Sequence, residues 1–177
     1  MGSGVEPGLA MRLLAAARAA LSLAAFVALV AGASACQIVH ERGTLAMNLG
    51  LFDFDDSKRE FEGGVEYRSF DLIEGLRPVV GATLSTEASV YGYAGLRWEV
   101  PWIEPIRVAP SFAVSVFGRG RGKDLGHPVE FRSGVDIGYR FANGLSITAG
   151  IYHLSNAGLS ARNPGANSLV LSYGYDF

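Results

Sequence analysis

From Thr44 to Phe177 apolar residues alternate with small, polar or charged ones. The runs are broken by Gly, Pro, Asn and Asp. On a β-strand, positions two apart share a face. The pattern therefore predicts strands near residues 44–54, 61–70, 77–86, 88–100, 104–118, 128–141, 145–156 and 167–177. No long segment repeats at the helical period. Strands of about ten residues match the ~9–11 that a membrane-spanning strand needs, and eight is the smallest set for a closed barrel of that kind.

Alternation also assigns the faces. Leu145, Ile147, Ala149 and Ile151 oppose Ser146, Thr148, Gly150 and Tyr152. Phe131, Val135, Ile137, Tyr139 and Phe141 oppose Arg132, Gly134, Asp136, Gly138 and Arg140. Val90, Ala94, Leu96, Trp98 and Val100 oppose Ser89, Tyr91, Tyr93 and Arg97. Ile106, Val108, Phe112, Val114 and Val116 oppose Arg107, Ser111 and Ser115. A soluble barrel would turn the apolar face inward. The glycines and paired charges of the other face suit the narrow interior of eight strands better, where side chains fill the lumen and leave no pore. The last strand carries Leu169, Leu171, Tyr173, Tyr175 and Phe177 on one face. An alternating strand ending in an aromatic residue resembles the recognition signal of bacterial outer-membrane barrels. The expected fold is all-β, an eight-stranded antiparallel outer-membrane β-barrel over residues 36–177.

The N-terminal part of the chain reads differently. Arg12 and Arg18 precede an apolar core, Leu21 to Val30, and the small-x-small site Ala33-Ser34-Ala35. Residues 1–35 thus read as a secretory signal peptide, with 1–10 as an upstream extension if the true start is Met11. A membrane-anchoring helix is the alternative, but the core is short for it. Cys36, the single cysteine, excludes an intramolecular disulfide framework. Its place suits a lipoprotein, although Ala33 is a poor match for the leucine usual there. Composition agrees with a membrane barrel: charged residues are 18% and mean hydropathy is +0.24. No apolar run after residue 36 approaches the ~20 residues of a membrane helix. A net charge of -2 gives no reason to expect nucleic acid.

Barrels of this kind start and end on the periplasmic side, so odd strands run outward. Residues 142–144 then form a periplasmic turn, and 118–127 and 156–166 are outer loops. His153 and Ser155 fall near the outer end of the seventh strand, on its apolar, lipid-facing side. Spaced two apart, an imidazole and a hydroxyl are close enough for proton transfer. A polar pair facing lipid costs free energy unless it is satisfied or used. The plainer reading is that the strand has left the hydrocarbon by residue 153. His40, His127 and His153 are dispersed, without metal-ligand spacing, so no metal or other cofactor is implied. Trp98 and Trp102 read as membrane-interface anchors.

The run His153-Leu154-Ser155-Asn156-Ala157-Gly158-Leu159, followed by Asn163-Pro164-Gly165, resembles the PagL family of lipid A 3-O-deacylases. Val129-Glu130-Phe131-Arg132-Ser133-Gly134 and Gly138-Tyr139-Arg140-Phe141 are similar to the same family. The likeness is strongest over 126–177 and fainter over 44–125. It implies an outer-membrane serine esterase without cofactor. Its substrate would be lipopolysaccharide, from whose lipid A it removes the 3-O-linked 3-hydroxyacyl chain. Ser155 would be the nucleophile and His153 the general base. Asn156, Gly158 and Asn163 would supply the oxyanion hole or support the loop.

The family's third catalytic residue is a glutamate fourteen places after the histidine, a position held here by Asn167. An asparagine accepts the imidazole N–H but brings no charge to an imidazolium. Glu130 is the nearest sequence alternative, although its parity points it into the lumen. The departure keeps a second reading open: a weak or inactive small barrel with a structural or adhesion role. Arg119, Arg121 and Lys123 offer charge for lipid A phosphates, and Asp53, Asp55 and Asp56 for divalent cations. Ordinary solvated loops are the plainer reading of both groups. Outer-membrane lipid is the surrounding partner, and the oligomeric state is left open, a homodimer included.

Overall fold

The computed structural model describes residues 42–177. The signal-peptide and Cys36 assignments lie outside the described residues. Eight strands follow one another: β1 (Thr44–Phe52), β2 (Glu60–Arg68), β3 (Leu76–Ser85), β4 (Val90–Trp98), β5 (Ile106–Gly118), β6 (Val129–Arg140), β7 (Leu145–Ser155) and β8 (Ala166–Asp176). Each pairs antiparallel with the next, and β1 pairs with β8 to close the barrel. A 3-10 turn at Pro101–Ile103 links β4 to β5. Closure matters in lipid, where an open strand edge would leave backbone groups unpaired.

The alternating faces come out as the pattern requires. Leu49, Phe61 and Val116 are 69%, 70% and 66% exposed, and Leu171 and Ile137 lie on the same outer surface. A continuous apolar exterior of this kind marks contact with lipid rather than water. Tyr173, Tyr175 and Phe177 extend it near the end where Thr44 stands opposite Asp176. At that end Trp98 and Trp102 meet edge to face, with ring centroids 5.6 Å apart.

The lumen is packed with side chains. Arg68, Arg77, Arg97 and Arg132 are buried there. Arg97 pairs with Asp136, which also accepts the Tyr152 hydroxyl. Arg107 pairs with Glu99. The Arg132 guanidinium lies between two rings, 3.4 Å from the Tyr152 centroid and 4.4 Å from that of Tyr93. Toward the end away from Thr44 and Asp176 this network gives way to an apolar plug that includes Phe52, Tyr91, Phe117, Leu125 and Leu154. Leu125 comes from the β5–β6 loop, so a loop residue helps to cap the lumen.

Candidate active site

Register places the polar residues of the outer rim. β7 and β8 pair so that His153 stands opposite Asn167. The fourteen-residue spacing is therefore a product of the hairpin. Ser155 stands opposite Phe131 of β6. His153 is exposed and Ser155 half-buried, both on the outer face that carries Ile151. Residues two apart along a strand are separated by about 7 Å between Cα atoms. No hydrogen bond joins the Ser155 hydroxyl to the His153 ring among the described residues. Such bonds often tighten only with substrate.

The other side of the ring is held. His153 Nδ1 lies 2.7 Å from Asn167 Oδ1. Asn167 Nδ2 in turn donates to Asp55 Oδ2 at 2.7 Å. Asp55 belongs to the β1–β2 loop, and the neighbouring Phe54 N–H donates to the Asn167 carbonyl at 3.0 Å. The loop is thus tied to β8 by main chain and side chain together. A depression of about 130 Å³ opens beside the ring, lined in part by Asp53, Asp55, Lys123, Pro164 and Asn167.

Gly165 fits against the imidazole. A Cβ there would lie 2.9 Å from His153 Cε1, and the backbone has φ +64°. Both the space and the left-handed conformation favour glycine.

The β7–β8 loop is organised by Asn156, which is fully buried. Its Nδ2 donates to the carbonyls of Leu125 (3.0 Å) and Arg162 (2.9 Å). Its Oδ1 accepts the Gly158 N–H at 3.0 Å. Its own N–H donates to Asn163 Oδ1 at 3.0 Å. Asn156 and Gly158 are therefore committed to shaping the loop. Asn163 is exposed, and with Oδ1 engaged it retains its amide nitrogen as a donor.

The structure removes from the site the one acid that the sequence offered as an alternative, Glu130. Glu130 is fully buried on the lumen side of β6, across the barrel wall from His153. The acid that joins the site is Asp55, which the sequence suggested only as part of an acidic loop. Its neighbours are otherwise engaged. Lys123 pairs with Asp53 at 2.7 Å and with Asp56 at 3.8 Å. The Lys58 backbone N–H, then the Ser57 hydroxyl and the Lys123 charge, hold the Asp56 carboxyl below its usual range. Among the described residues no group of three or more His, Cys, Asp or Glu side chains could hold a metal ion. Of the other loop cations, Arg119 faces Asp124 at 3.4 Å and Arg121 faces Glu87 at 3.5 Å.

Solved structures of similar fold are membrane barrels. The crystal structure of the outer membrane enzyme PagL matches with a TM-score of 0.56 at 22% identity, covering 75% of this chain and 98% of that one. Neisserial surface protein A matches with 0.55 at 11% identity, covering 80% and 100%. A designed transmembrane β-barrel matches with 0.55 at 10% identity, covering 79% and 100%. At these identities the likeness establishes the fold. No curated protein matched the sequence. The family model described as lipid A 3-O-deacylase (PagL) matches residues 45–176. That span takes in nearly the whole barrel and the rim with His153, Ser155 and Asn167, so the chain belongs to the lipid A 3-O-deacylase (PagL) family of bacterial outer-membrane enzymes.

Proposed function

We propose that this barrel hydrolyses the ester of the 3-hydroxyacyl chain at position 3 of lipid A, with Ser155 as nucleophile and His153 as general base. The observation that carries the reading is the placement of Ser155 beside His153 on the outer face of β7, with Nδ1 of the ring on Asn167 Oδ1 at 2.7 Å. Held that way, the imidazole directs Nε2 to accept a proton. Ser155 loses its proton to Nε2 as Oγ bonds to the acyl carbonyl carbon. The imidazolium returns the proton to the sugar oxygen as the C–O bond breaks. Water then repeats the sequence on the acyl-enzyme and releases the 3-hydroxy fatty acid. Asn163 Nδ2 is the side-chain donor left for the oxyanion, and Asn156 keeps its loop in place.

The position suits the substrate. Lipopolysaccharide occupies the outer leaflet, and its acyl esters lie at the depth where an outward strand leaves the hydrocarbon. A groove on the outside of the wall meets such an ester from within the membrane plane, whereas the filled lumen offers it no entry.

The test is the mass of lipid A from a bacterial outer membrane that contains the protein. Wild type should remove one hydroxyacyl chain, and fragmentation should place the loss at position 3. Ser155→Ala and His153→Ala should each lower the rate by about 10⁴–10⁶-fold while inserting normally. Intact lipid A beside correctly inserted wild-type barrel would refute the assignment.

A further inference from the structure

The hydrolytic reading needs the His153 ring in one tautomer, with hydrogen on Nδ1 and a lone pair on Nε2. An asparagine does not impose this alone. Turned by half a rotation, its amide offers NH₂ to the ring and favours the opposite tautomer. Asp55 removes that freedom. Asn167 Nδ2 lies 2.7 Å from Asp55 Oδ2, and Asn167 Oδ1 lies 2.7 Å from His153 Nδ1. A carboxylate only accepts hydrogen bonds, so the NH₂ end must face Asp55. Oδ1 is then left for the ring, and the hydrogen of that bond must sit on Nδ1.

The placement of Asp55 is specific. The Phe54 N–H bonds the Asn167 carbonyl at 3.0 Å and brings the loop against β8. Lys123 is taken by Asp53 and Asp56. Among the described residues Asp55 forms no ion pair, so its carboxylate addresses the amide.

We propose that Asp55 is a positioning residue for the hydrolase reading above. It fixes the Asn167 amide, and through it the His153 tautomer, and replaces at one remove the carboxylate that the family glutamate would place directly on the ring. Asp55→Asn keeps the size but lets either end of the new amide face Asn167, so the constraint is lost.

The experiment measures lipid A deacylation by purified protein in detergent for wild type, Asp55→Asn, Asn167→Glu and the double variant. Ring ¹⁵N spectra report the tautomer, with His153→Ala assigning the signal. Asp55→Asn should lower kcat by about 10–100-fold and leave KM within about twofold, because it loosens the base while keeping the size of the side chain that lines the depression. With Asn167→Glu the carboxylate meets the ring directly, so adding Asp55→Asn should then cost less than about threefold. The wild-type ring should carry hydrogen on Nδ1, and Asp55→Asn should shift the population toward Nε2–H.

Equal losses in both backgrounds, or full activity in Asp55→Asn beside an inactive Ser155→Ala, would overturn the proposal. Wild type that releases no acyl chain would instead refute the hydrolase reading. The spectra then decide on Asp55 by themselves. A tautomer that responds to Asp55→Asn upholds the positioning role, and an Nε2–H ring in wild type or an unchanged ring in the variant ends it.

Discussion

The lumen and the outer rim both hold polar side chains against an apolar environment, but they are wired differently. In the lumen Asp136 and Glu99 each meet several partners drawn from several strands. Asp136 of β6 takes Arg97 of β4 and Tyr152 of β7. Glu99 faces Arg77, Arg97 and Arg107. At the rim the groups stand in single file, His153 to Asn167 to Asp55, with one bond at each link. A branched network resists change in any one member. A file gives each member a defined direction. The first arrangement suits holding a barrel closed, and the second suits aiming one lone pair.

That contrast can be broken by substitution. The largest effect on the barrel itself should come from Asp136→Ala, which takes its nearer carboxylate from the fully buried Arg97, leaving it Glu99 at 3.4 Å, and removes the acceptor of the Tyr152 hydroxyl. Removing one partner of such a pair typically costs about 3–5 kcal/mol. Urea unfolding in micelles should show the loss, while molecules still folded retain their deacylation rate. Ser155→Ala is the mirror image and should leave the same unfolding midpoint in place. If Asp136→Ala instead removed activity from fully folded barrels, lumen and rim would not be separable.

Gly165→Ala should act at an intermediate level. The new methyl meets His153 Cε1 at 2.9 Å, and the backbone stays at φ +64°. We expect about 1 kcal/mol of destabilisation and roughly a tenfold slower reaction, read by the same two assays. Arg121→Ala should do least. Its pair with Glu87 is open to solvent, at 73% and 48% side-chain exposure. Rate and unfolding midpoint should both stay at wild-type values. A raised KM for lipid A would instead give this arginine a part in holding phosphate.

The strands were legible because a barrel wall obeys a period of two along its whole length. Predicted and observed limits differ by at most two residues, the largest mismatch at both ends being β4, expected over 88–100 and found at Val90–Trp98. Ser89 and Glu99 remain buried beyond the ends of that strand, which is why alternation overran it. The rim pair was legible for the same reason, since parity alone puts His153 and Ser155 outside. The identity of the carboxylate was not. Sequence distance favoured Glu130, one strand away, but strand parity buries it. Asp55 is 112 positions from Asn167 and arrives only because β1 pairs with β8. The wiring of Asn156 was equally hidden, because its partners Leu125 and Arg162 offer backbone carbonyls, which any residue type would supply.

The pairing of β1 with β8 has a consequence in time. His153 and Ser155 lie on β7, Asn167 on β8, and Asp55 just past β1, so the file of hydrogen bonds crosses the seam where the first and last strands meet. β7 and β8 are neighbours in the chain, whereas β1 meets β8 only where the ring closes. A precursor in which β1 and β8 have not yet paired holds the His153–Asn167 contact of the hairpin without the Asp55 link. Completion of the His153–Asn167–Asp55 file is thereby tied to closure of the barrel.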